Sequence, residues 1–339
     1  MADPSRPVHQ PIQPHVRPLL DPEYVAFHDK YFQYLVPDDT KPWDGSARLK
    51  NPHLPATESE PVPVGNVRDI KVNDNYTVRV FTPDGPKPAA GWPVFLWFHG
   101  GGWAVGDLAA NNDVCALVCQ RARCVVVSVA YRLAPEHPYP AAFEDAVDAL
   151  RWVRSEAGSA ALGGTDPGRV AVGGTSAGGQ LAASLSIAAA CGEIEPPARL
   201  AFQLLVVPVV DSTATVETAW AANRDAPWLT PARMTWYRRM YLPDEGRARE
   251  WQVSPNFASR ELLAGSPRTW IAVAEQDILA PEAEGYAAQL AEAWAERGVE
   301  DVEVVTKIYQ GSCHPMLTLN GMSKAPPLRF YNGETDLTW

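Results

Sequence analysis

Long apolar segments are missing from this sequence. No run of about 18 apolar residues is available to cross a bilayer, and the opening residues, MADPSRPVHQPIQPHVRP, contain no apolar core of a secretory signal. These absences argue against a membrane-spanning protein and against a secreted precursor. We therefore expect a cytoplasmic protein with no membrane span.

Cysteine and positive charge are also scarce. The five cysteines are an odd number in a chain of 339 residues, and no histidine lies near Cys115 and Cys119 to complete a zinc site. We expect free thiols and no bound metal. The chain carries 40 acidic residues against 29 basic ones, a formal net charge of −11, so it would repel the phosphates of a nucleic acid. We expect no nucleic acid partner.

What the sequence does contain is an alternation of apolar β-rich runs and helical stretches from residue 65 onward. Several of the runs are apolar throughout, which is typical of parallel strands covered on both faces. The predicted strands cover residues 76–81, 94–98, 124–130, 170–172, 202–207, 269–274 and 302–309. The predicted helices cover residues 111–122, 143–157, 178–190 and 282–297. This alternation predicts an α/β fold with a mostly parallel sheet flanked by helices.

Two regions break the alternation. Residues 1 to about 60 are rich in proline and polar side chains, with one predicted helix over 22–35. Residues 211–257 are rich in aromatic side chains and are predicted as helices with no strand between them. We expect a single domain over residues 1–339, in which about 1–60 and 211–257 form a helical cap over the strand ends.

A candidate nucleophile follows the predicted strand 170–172. Residues 174–178 read G-T-S-A-G, with Ser176 at the centre and an alanine-rich helix directly after it. A serine on a sharp strand-to-helix turn adopts a strained backbone, and flanking glycines leave room for close packing there. The helix that begins after Ser176 also directs its positive end toward developing negative charge.

A glycine run follows another predicted strand. Residues 99–103 read H-G-G-G-W, directly after strand 94–98. Acyl transfer creates a tetrahedral oxyanion, and backbone N–H groups must reach it without a side chain in the way. We predict that the amides of Gly101, Gly102 and Ala177 form this oxyanion hole, and that His99 supports the loop.

The base and the acid are expected in loops that follow the last two strands. Of the seven histidines, His314 follows the last predicted strand and is best placed to accept the Ser176 proton. The acid is expected between the serine and the histidine in the chain. Asp277, after strand 269–274, fits best, while Asp211 and Glu275 remain competitors.

With these residues identified, the chain resembles the hormone-sensitive-lipase family of α/β-hydrolases. The resemblance runs from about residue 92 to 316 and rests on six blocks in order: HGGGWAVGD at 99–107, YRLAPEHPYPAAF at 131–143, GTSAGG at 174–179, SPNFA at 254–258, AEQDIL at 274–279 and YQGSCH at 309–314. It implies an α/β-hydrolase fold and carboxylic-ester hydrolysis by a Ser-Asp-His triad through an acyl-enzyme. It also implies no cofactor, and a cap over a pocket for a small to medium apolar ester.

The chain departs from the family pattern in three places. Thr175 stands where the family usually has Asp, Pro315 stands where it usually has Gly, and Pro326 and Pro327 would interrupt its closing helix. Relatives of the family include receptors, dehydratases and cyclases. A same-fold lyase and a non-catalytic binding protein therefore remain alternatives, to be distinguished from an esterase by the products formed and by turnover.

Overall fold

A mostly parallel sheet of eight strands forms the centre of the protein. The computed structural model describes residues 6–49, 61–195, 197–298 and 303–317. In these residues the strands are β1 (Asn66–Lys71), β2 (Thr77–Thr82), β3 (Trp92–Phe98), β4 (Val125–Ala130), β5 (Thr165–Thr175), β6 (Phe202–Val206), β7 (Arg268–Ala274) and β8 (Val304–Tyr309). They lie in the order β1-β2-β4-β3-β5-β6-β7-β8. Pairing is antiparallel for β1 with β2 and for β2 with β4, and parallel in every other pair, so the predicted sheet type is confirmed.

Helices cover both faces of this sheet. They are α1 (Pro22–Lys30), α2 (Asn112–Ala122), α3 (Ala141–Arg154), α4 (Glu156–Ala161), α5 (Ala177–Ala190), α6 (Pro231–Tyr241), α7 (Arg260–Leu263) and α8 (Ala280–Arg297). Side chains of β3 show the two layers, because alternate residues of a strand point to opposite faces. Val94, Leu96 and Phe98 share a buried cluster with α3, α5 and α8, whereas Phe95 and Trp97 share another with α2. No helix among the described residues has the length and apolar content needed to cross a membrane.

The residues assigned to the cap lie in two stretches that contact each other. We call residues 6–49 the N-terminal segment and residues 211–257 the second segment. Phe32 stacks on Trp228 with ring centroids 4.1 Å apart, and Trp43 lies 5.7 Å from Trp236. The Arg233 guanidinium pairs with Asp39 at 3.3 Å, with the Arg233 side chain 7 % and the Asp39 side chain 10 % exposed. Residues 1–5 and 50–60 of the predicted cap lie outside the described residues.

Several predicted elements differ from the structure at their ends. The helix predicted over residues 22–35 ends at Lys30, and a single 3₁₀ turn, Phe32–Tyr34, follows it. In the second segment α6 is the one α-helix, because prolines at 227, 243 and 255 divide the rest into turns. Strand β1 was not predicted. It has little apolar content, because it lies at the sheet edge with mostly exposed side chains. Val302, Pro326 and Pro327 lie outside the described residues.

A buried carboxyl group joins α8 to the second segment. The Glu282 side chain accepts hydrogen bonds from the backbone amides of Val210 and Asp211, both at 2.8 Å, and from the Trp220 indole at 3.0 Å. Burial raises the pKa of Glu282 to about 8, because the charged form loses contact with water. Its folded-state pKa therefore lies above the value that the group has in an unfolded chain.

We predict that Glu282 makes stability depend on pH. Between pH 4.5 and 8 the unfolded state ionises this group while the folded state keeps it protonated, so its contribution to the free energy of unfolding falls as pH rises. Glu282→Gln removes this titration. Chemical unfolding measures the free energy of unfolding from pH 5 to 8.5. Over this range the value for wild type should fall relative to that for the variant, by at most about 1 kcal/mol per pH unit. Glu284→Gln, on the exposed face of the same helix, is the control and should show no such divergence.

Candidate active site

Three side chains from different loops meet at the carboxyl ends of the parallel strands. The Ser176 hydroxyl oxygen lies 2.9 Å from Nε2 of His314, and Nδ1 of His314 lies 2.7 Å from Oδ2 of Asp277. The Asp277 side chain is 1 % exposed and that of His314 is 12 % exposed. Because the Asp277 carboxylate accepts the Nδ1 hydrogen, Nε2 is left free to accept the Ser176 hydroxyl hydrogen.

The turn between β5 and α5 holds Ser176 in an unusual backbone conformation. Its φ is 56° and its ψ is −119°, a region that L-residues rarely adopt. Its amide donates to the Val206 carbonyl at 2.8 Å, which ties the turn to the neighbouring strand β6. Thr175, the departure from the family pattern, is buried as the last residue of β5 and pairs with Val206 across the sheet.

Glycines on this turn allow the loop after β3 to approach closely. A Cβ added to Gly178 would collide with the carbonyl oxygens of Phe98 and His99, and one added to Gly174 would collide with the Gly178 carbonyl. A Cβ at Gly100 would lie 3.3 Å from the Ser176 Cβ. The glycine loop and the serine turn are therefore in backbone contact, which requires residues without side chains at these positions.

Two residues of the glycine loop and one of α5 have backbone amides without a protein acceptor among the described residues. Gly101 and Gly102 have φ values of 113° and 57°, a conformation that favours glycine. Within the described part of the chain, the amides of Gly101, Gly102 and Ala177 donate to no other protein group. Ala177 is the first residue of α5, where an amide has no acceptor within the helix.

His99 supports the glycine loop through contacts of its ring and of its backbone carbonyl. Its Nδ1 donates to the Gly100 carbonyl at 2.7 Å, its ring stacks on Tyr131 at 4.4 Å, and the Tyr131 hydroxyl donates to the His99 carbonyl at 2.8 Å. Burial lowers the pKa of His99, so the ring stays neutral. It contacts the loop rather than the Ser176 hydroxyl.

The competing acids have other partners. Asp211 accepts hydrogen bonds from the Thr213 amide and hydroxyl at 2.8 and 2.6 Å. Glu275 accepts from the Gly311 amide at 2.8 Å. Of the three acids considered, Asp277 is the one whose carboxylate contacts His314.

Three side chains that the sequence did not single out also support the site. Asn223 donates to the carbonyl oxygens of Glu275 and Asp277, at 3.0 and 2.7 Å, and so holds the loop that carries Asp277. The Trp103 indole donates to Gln180 of α5 at 2.9 Å, joining the glycine loop to the helix after Ser176. Trp103 directly follows the glycine run, so its position in the sequence could have indicated a role beside the glycine loop. Nothing in the sequence near Asn223 indicates its role.

A tyrosine of the second segment lies directly over the glycine loop. A Cβ added to Gly102 would fall inside van der Waals contact with ring carbons of Tyr237, 2.5 Å from Cδ1. The Tyr237 ring also lies 5.0 Å from that of Trp236. Burial raises the pKa of Tyr237 to about 12, so its hydroxyl stays protonated.

Comparison with known proteins finds a matching family and similar hydrolases. A family model described as alpha/beta hydrolase fold matches residues 95–318. The chain is 38% identical over 324 residues to an AB hydrolase superfamily protein of Schizosaccharomyces pombe, covering 92% of this chain and 91% of that one. It is 32% identical over 228 residues to an ethyl acetate hydrolase of Pseudomonas putida, covering 66% of this chain and 69% of that one.

A solved structure with high coverage is also an esterase. The crystal structure of a thermostable esterase from Pseudomonas putida ECU1011 superimposes with a TM-score of 0.75 at 28% sequence identity. It covers 91% of this chain and 93% of that chain.

We predict that the two helical glycines at positions 178 and 285 differ in their tolerance of a methyl group. Gly178→Ala places Cβ against the carbonyls of Phe98 and His99 and should cost about 1–3 kcal/mol of stability or more. Gly285→Ala, inside α8, meets nothing within 4 Å and should stabilise the protein by up to about 1 kcal/mol. Urea unfolding measures both. Equal effects would contradict the close approach of the serine turn to β3.

Proposed function

Since the chain belongs to the hormone-sensitive-lipase group of α/β-hydrolases and is a carboxylesterase of that fold, we propose that Ser176, His314 and Asp277 are its catalytic triad. The observation that carries the proposal is the continuous hydrogen-bond chain from the Ser176 hydroxyl through His314 to Asp277, with distances of 2.9 and 2.7 Å. Such a chain is the arrangement that nucleophilic acyl transfer requires.

In the first half of the reaction Ser176 attacks the ester carbonyl carbon. His314 Nε2 takes the hydroxyl proton as the Ser176 Oγ–C bond forms, and Asp277 stabilises the resulting imidazolium. The carbonyl oxygen becomes an oxyanion, which accepts hydrogen bonds from the unpaired amides of Gly101, Gly102 and Ala177. His314 then gives its proton to the departing alcohol, and the acyl-enzyme remains on Ser176.

In the second half water replaces the alcohol. His314 Nε2 accepts a proton from a water molecule, which attacks the acyl carbon and forms the oxyanion again. Collapse of this intermediate breaks the Ser176 ester bond, and His314 returns the proton to the serine oxygen. The products are a carboxylic acid, an alcohol and the free enzyme, so the cycle needs no cofactor.

We propose a small to medium apolar ester as the substrate. Tyr237 rests on Gly102 and so bounds the space above the glycine loop, while Trp236 extends the aromatic surface next to it. Aromatic side chains that exclude water favour an apolar acyl or alcohol group. The similarity to an ethyl acetate hydrolase supports a substrate at the small end of this range.

Substitution of the acid distinguishes the triad from its competitors. Asp277→Asn should lower kcat about 10⁴-fold, because the amide favours the wrong histidine tautomer. Ser176→Ala should lower kcat by about 10⁴ or more, since triad members act as a unit. Asp211→Asn, whose carboxylate contacts Thr213 instead, is the control and should retain most activity.

Steady-state hydrolysis of p-nitrophenyl acetate measures these variants. Mass spectrometry of wild type after brief exposure to a fluorophosphonate should show one adduct, on Ser176. Near-normal activity in Asp277→Asn together with loss in Asp211→Asn would assign the acid to Asp211. A labelled residue other than Ser176 would refute the proposed nucleophile.

Truncation of Tyr237 tests the substrate size. Tyr237→Ala opens the space over Gly102, so activity should shift severalfold toward longer or bulkier esters, since each newly buried methylene contributes up to ~0.8 kcal/mol. Tyr237→Phe keeps the ring and should keep the wild-type preference. The ratio of kcat/KM for p-nitrophenyl hexanoate to that for acetate measures the shift. An unchanged kcat/KM ratio in Tyr237→Ala would show that the acyl group does not bind against Tyr237.

A further inference from the structure

The N-terminal segment contacts two loops of the proposed active site. At the loop of the base, the Asp21 amide donates to the Gly311 carbonyl at 2.9 Å. Cys313 of this loop is 2 % exposed and belongs to an apolar cluster separate from the two sheet cores. The other buried members of this cluster all come from the N-terminal segment: Ile12, Val16, Leu20, Tyr24, Phe32 and Leu35. At the glycine loop, the contact is made by the side chain of Arg48.

The guanidinium of Arg48 is held on both edges and on one face. Its Nε donates to the Ala104 carbonyl at 2.8 Å, and its Nη2 donates to the Ala134 carbonyl at 2.8 Å. Nη1 and Nη2 also pair with the two carboxylate oxygens of Glu136, at 3.1 and 2.5 Å. The guanidinium carbon lies 4.9 Å from the ring centroid of Trp43. A planar fork with these partners has one preferred orientation.

The first of these contacts leads to one of the proposed oxyanion donors. The Ala104 carbonyl belongs to the same peptide group as the Val105 amide, which donates to the Gly101 carbonyl at 3.0 Å. The Gly101 carbonyl belongs in turn to the same peptide group as the Gly102 amide. In a planar trans peptide the carbonyl and the amide point in opposite directions. Two peptide groups, hydrogen-bonded head to tail, therefore connect the Arg48 guanidinium to the Gly102 N–H.

The second carbonyl that the guanidinium holds, that of Ala134, is linked to the same point. The Ala134 amide donates to the Trp103 carbonyl at 2.8 Å. The peptide group of that carbonyl carries the Ala104 amide, which donates to the Gly101 carbonyl at 3.1 Å. Because the Gly101 carbonyl accepts two hydrogen bonds, its direction is fixed. The direction of the Gly102 amide, on the other side of the same peptide, is then fixed as well.

We propose that Arg48 is a positioning residue for the oxyanion hole, acting on the Gly102 amide through these peptide groups. This proposal rests on the proposed function, because it takes Gly102 to be an oxyanion donor. Stabilisation by backbone donors depends on their being aimed at the oxyanion in advance. A cation at one end of a hydrogen-bonded chain also polarises it, so that the last N–H becomes a stronger donor. The N-terminal segment then contributes to the reaction itself.

Substitution of Arg48 tests this role. Arg48→Met keeps an apolar stem beside Trp43 and removes every donor. It should lower kcat for p-nitrophenyl acetate about three- to thirtyfold, with KM changed less than about twofold, because loss of a whole oxyanion donor costs about 10²–10³-fold. Arg48→Lys keeps the charge without the planar fork and should also lower kcat. Measuring both variants keeps the test decisive if Arg48→Met folds poorly.

A thionoester distinguishes the oxyanion hole from a general loss of structure. In p-nitrophenyl thionoacetate sulfur replaces the carbonyl oxygen, and sulfur is a weak hydrogen-bond acceptor. The oxyanion hole contributes little to turnover of this substrate, so Arg48→Met should change its kcat less than about twofold. The ratio of kcat for the ester to kcat for the thionoester should therefore fall. The pH dependence of kcat/KM should stay as in wild type, because Arg48 holds carbonyls outside the loops of Asp277 and His314.

Arg17→Met is the matched control. Arg17 lies in the same segment and pairs with Asp29 through both terminal nitrogens, at 2.8 Å each. The two side chains are 41 % and 36 % exposed. This variant removes an arginine fork and an ion pair that do not involve the glycine loop, so kcat for both substrates should match wild type.

The outcomes separate this proposal from the proposed function. If wild type hydrolyses esters and is labelled at Ser176, but Arg48→Met and Arg48→Lys keep the wild-type kcat, the positioning role is wrong and the triad stands. Equal losses with the ester and the thionoester, or a change confined to KM, would also overturn it. Failure of wild type to be labelled by the fluorophosphonate would instead refute the proposed function.

Discussion

The strained turn at Ser176 is the constraint on which the rest of the site depends. A residue with φ of 56° is unfavourable by itself, so the surrounding structure must hold it in place. The Val206 carbonyl on one side and the glycine contacts with β3 on the other do so through backbone atoms alone. Because the same backbone contacts place the glycine loop beside Ser176, the serine turn and this loop are fixed relative to each other before any substrate arrives.

Around this rigid turn the remaining parts of the site are held from outside the sheet. Asn223 of the second segment donates to the carbonyl oxygens of Glu275 and Asp277, and Glu282 joins that segment to α8, which begins shortly after Asp277. The N-terminal segment contacts the loop of His314. The two segments therefore support the loops that carry Asp277 and His314, and they also contact each other.

The sequence predicted the sheet, and it predicted that Ser176 lies on a sharp turn near a glycine loop, because the signals for both are local. Apolar runs specify buried parallel strands, and G-T-S-A-G and H-G-G-G specify backbone conformations that few other residues permit. Asp277 needed the chain order of the fold, since its environment forms only after folding. The contacts of Asn223 with the loop of Asp277 and of Tyr237 with Gly102 could not be predicted, because they join residues far apart in the chain and leave no spacing pattern. The edge strand β1 was missed because exposed strands lack the apolar alternation that reveals buried ones.

The hydrogen bond between the Asp21 amide and the Gly311 carbonyl also bears on how the chain folds. The two residues lie far apart in the described chain, so forming their contact closes a long loop. During synthesis the N-terminal segment leaves the ribosome long before β8 and the loop that follows it, and its apolar cluster then lacks Cys313. The central sheet can begin to assemble from β1 to β6 in that interval, but His314 is not yet in place. The turn that carries Ser176 is therefore synthesised well before the loop that carries His314, so the hydrogen bond between these two side chains can form only after β8 has joined the sheet.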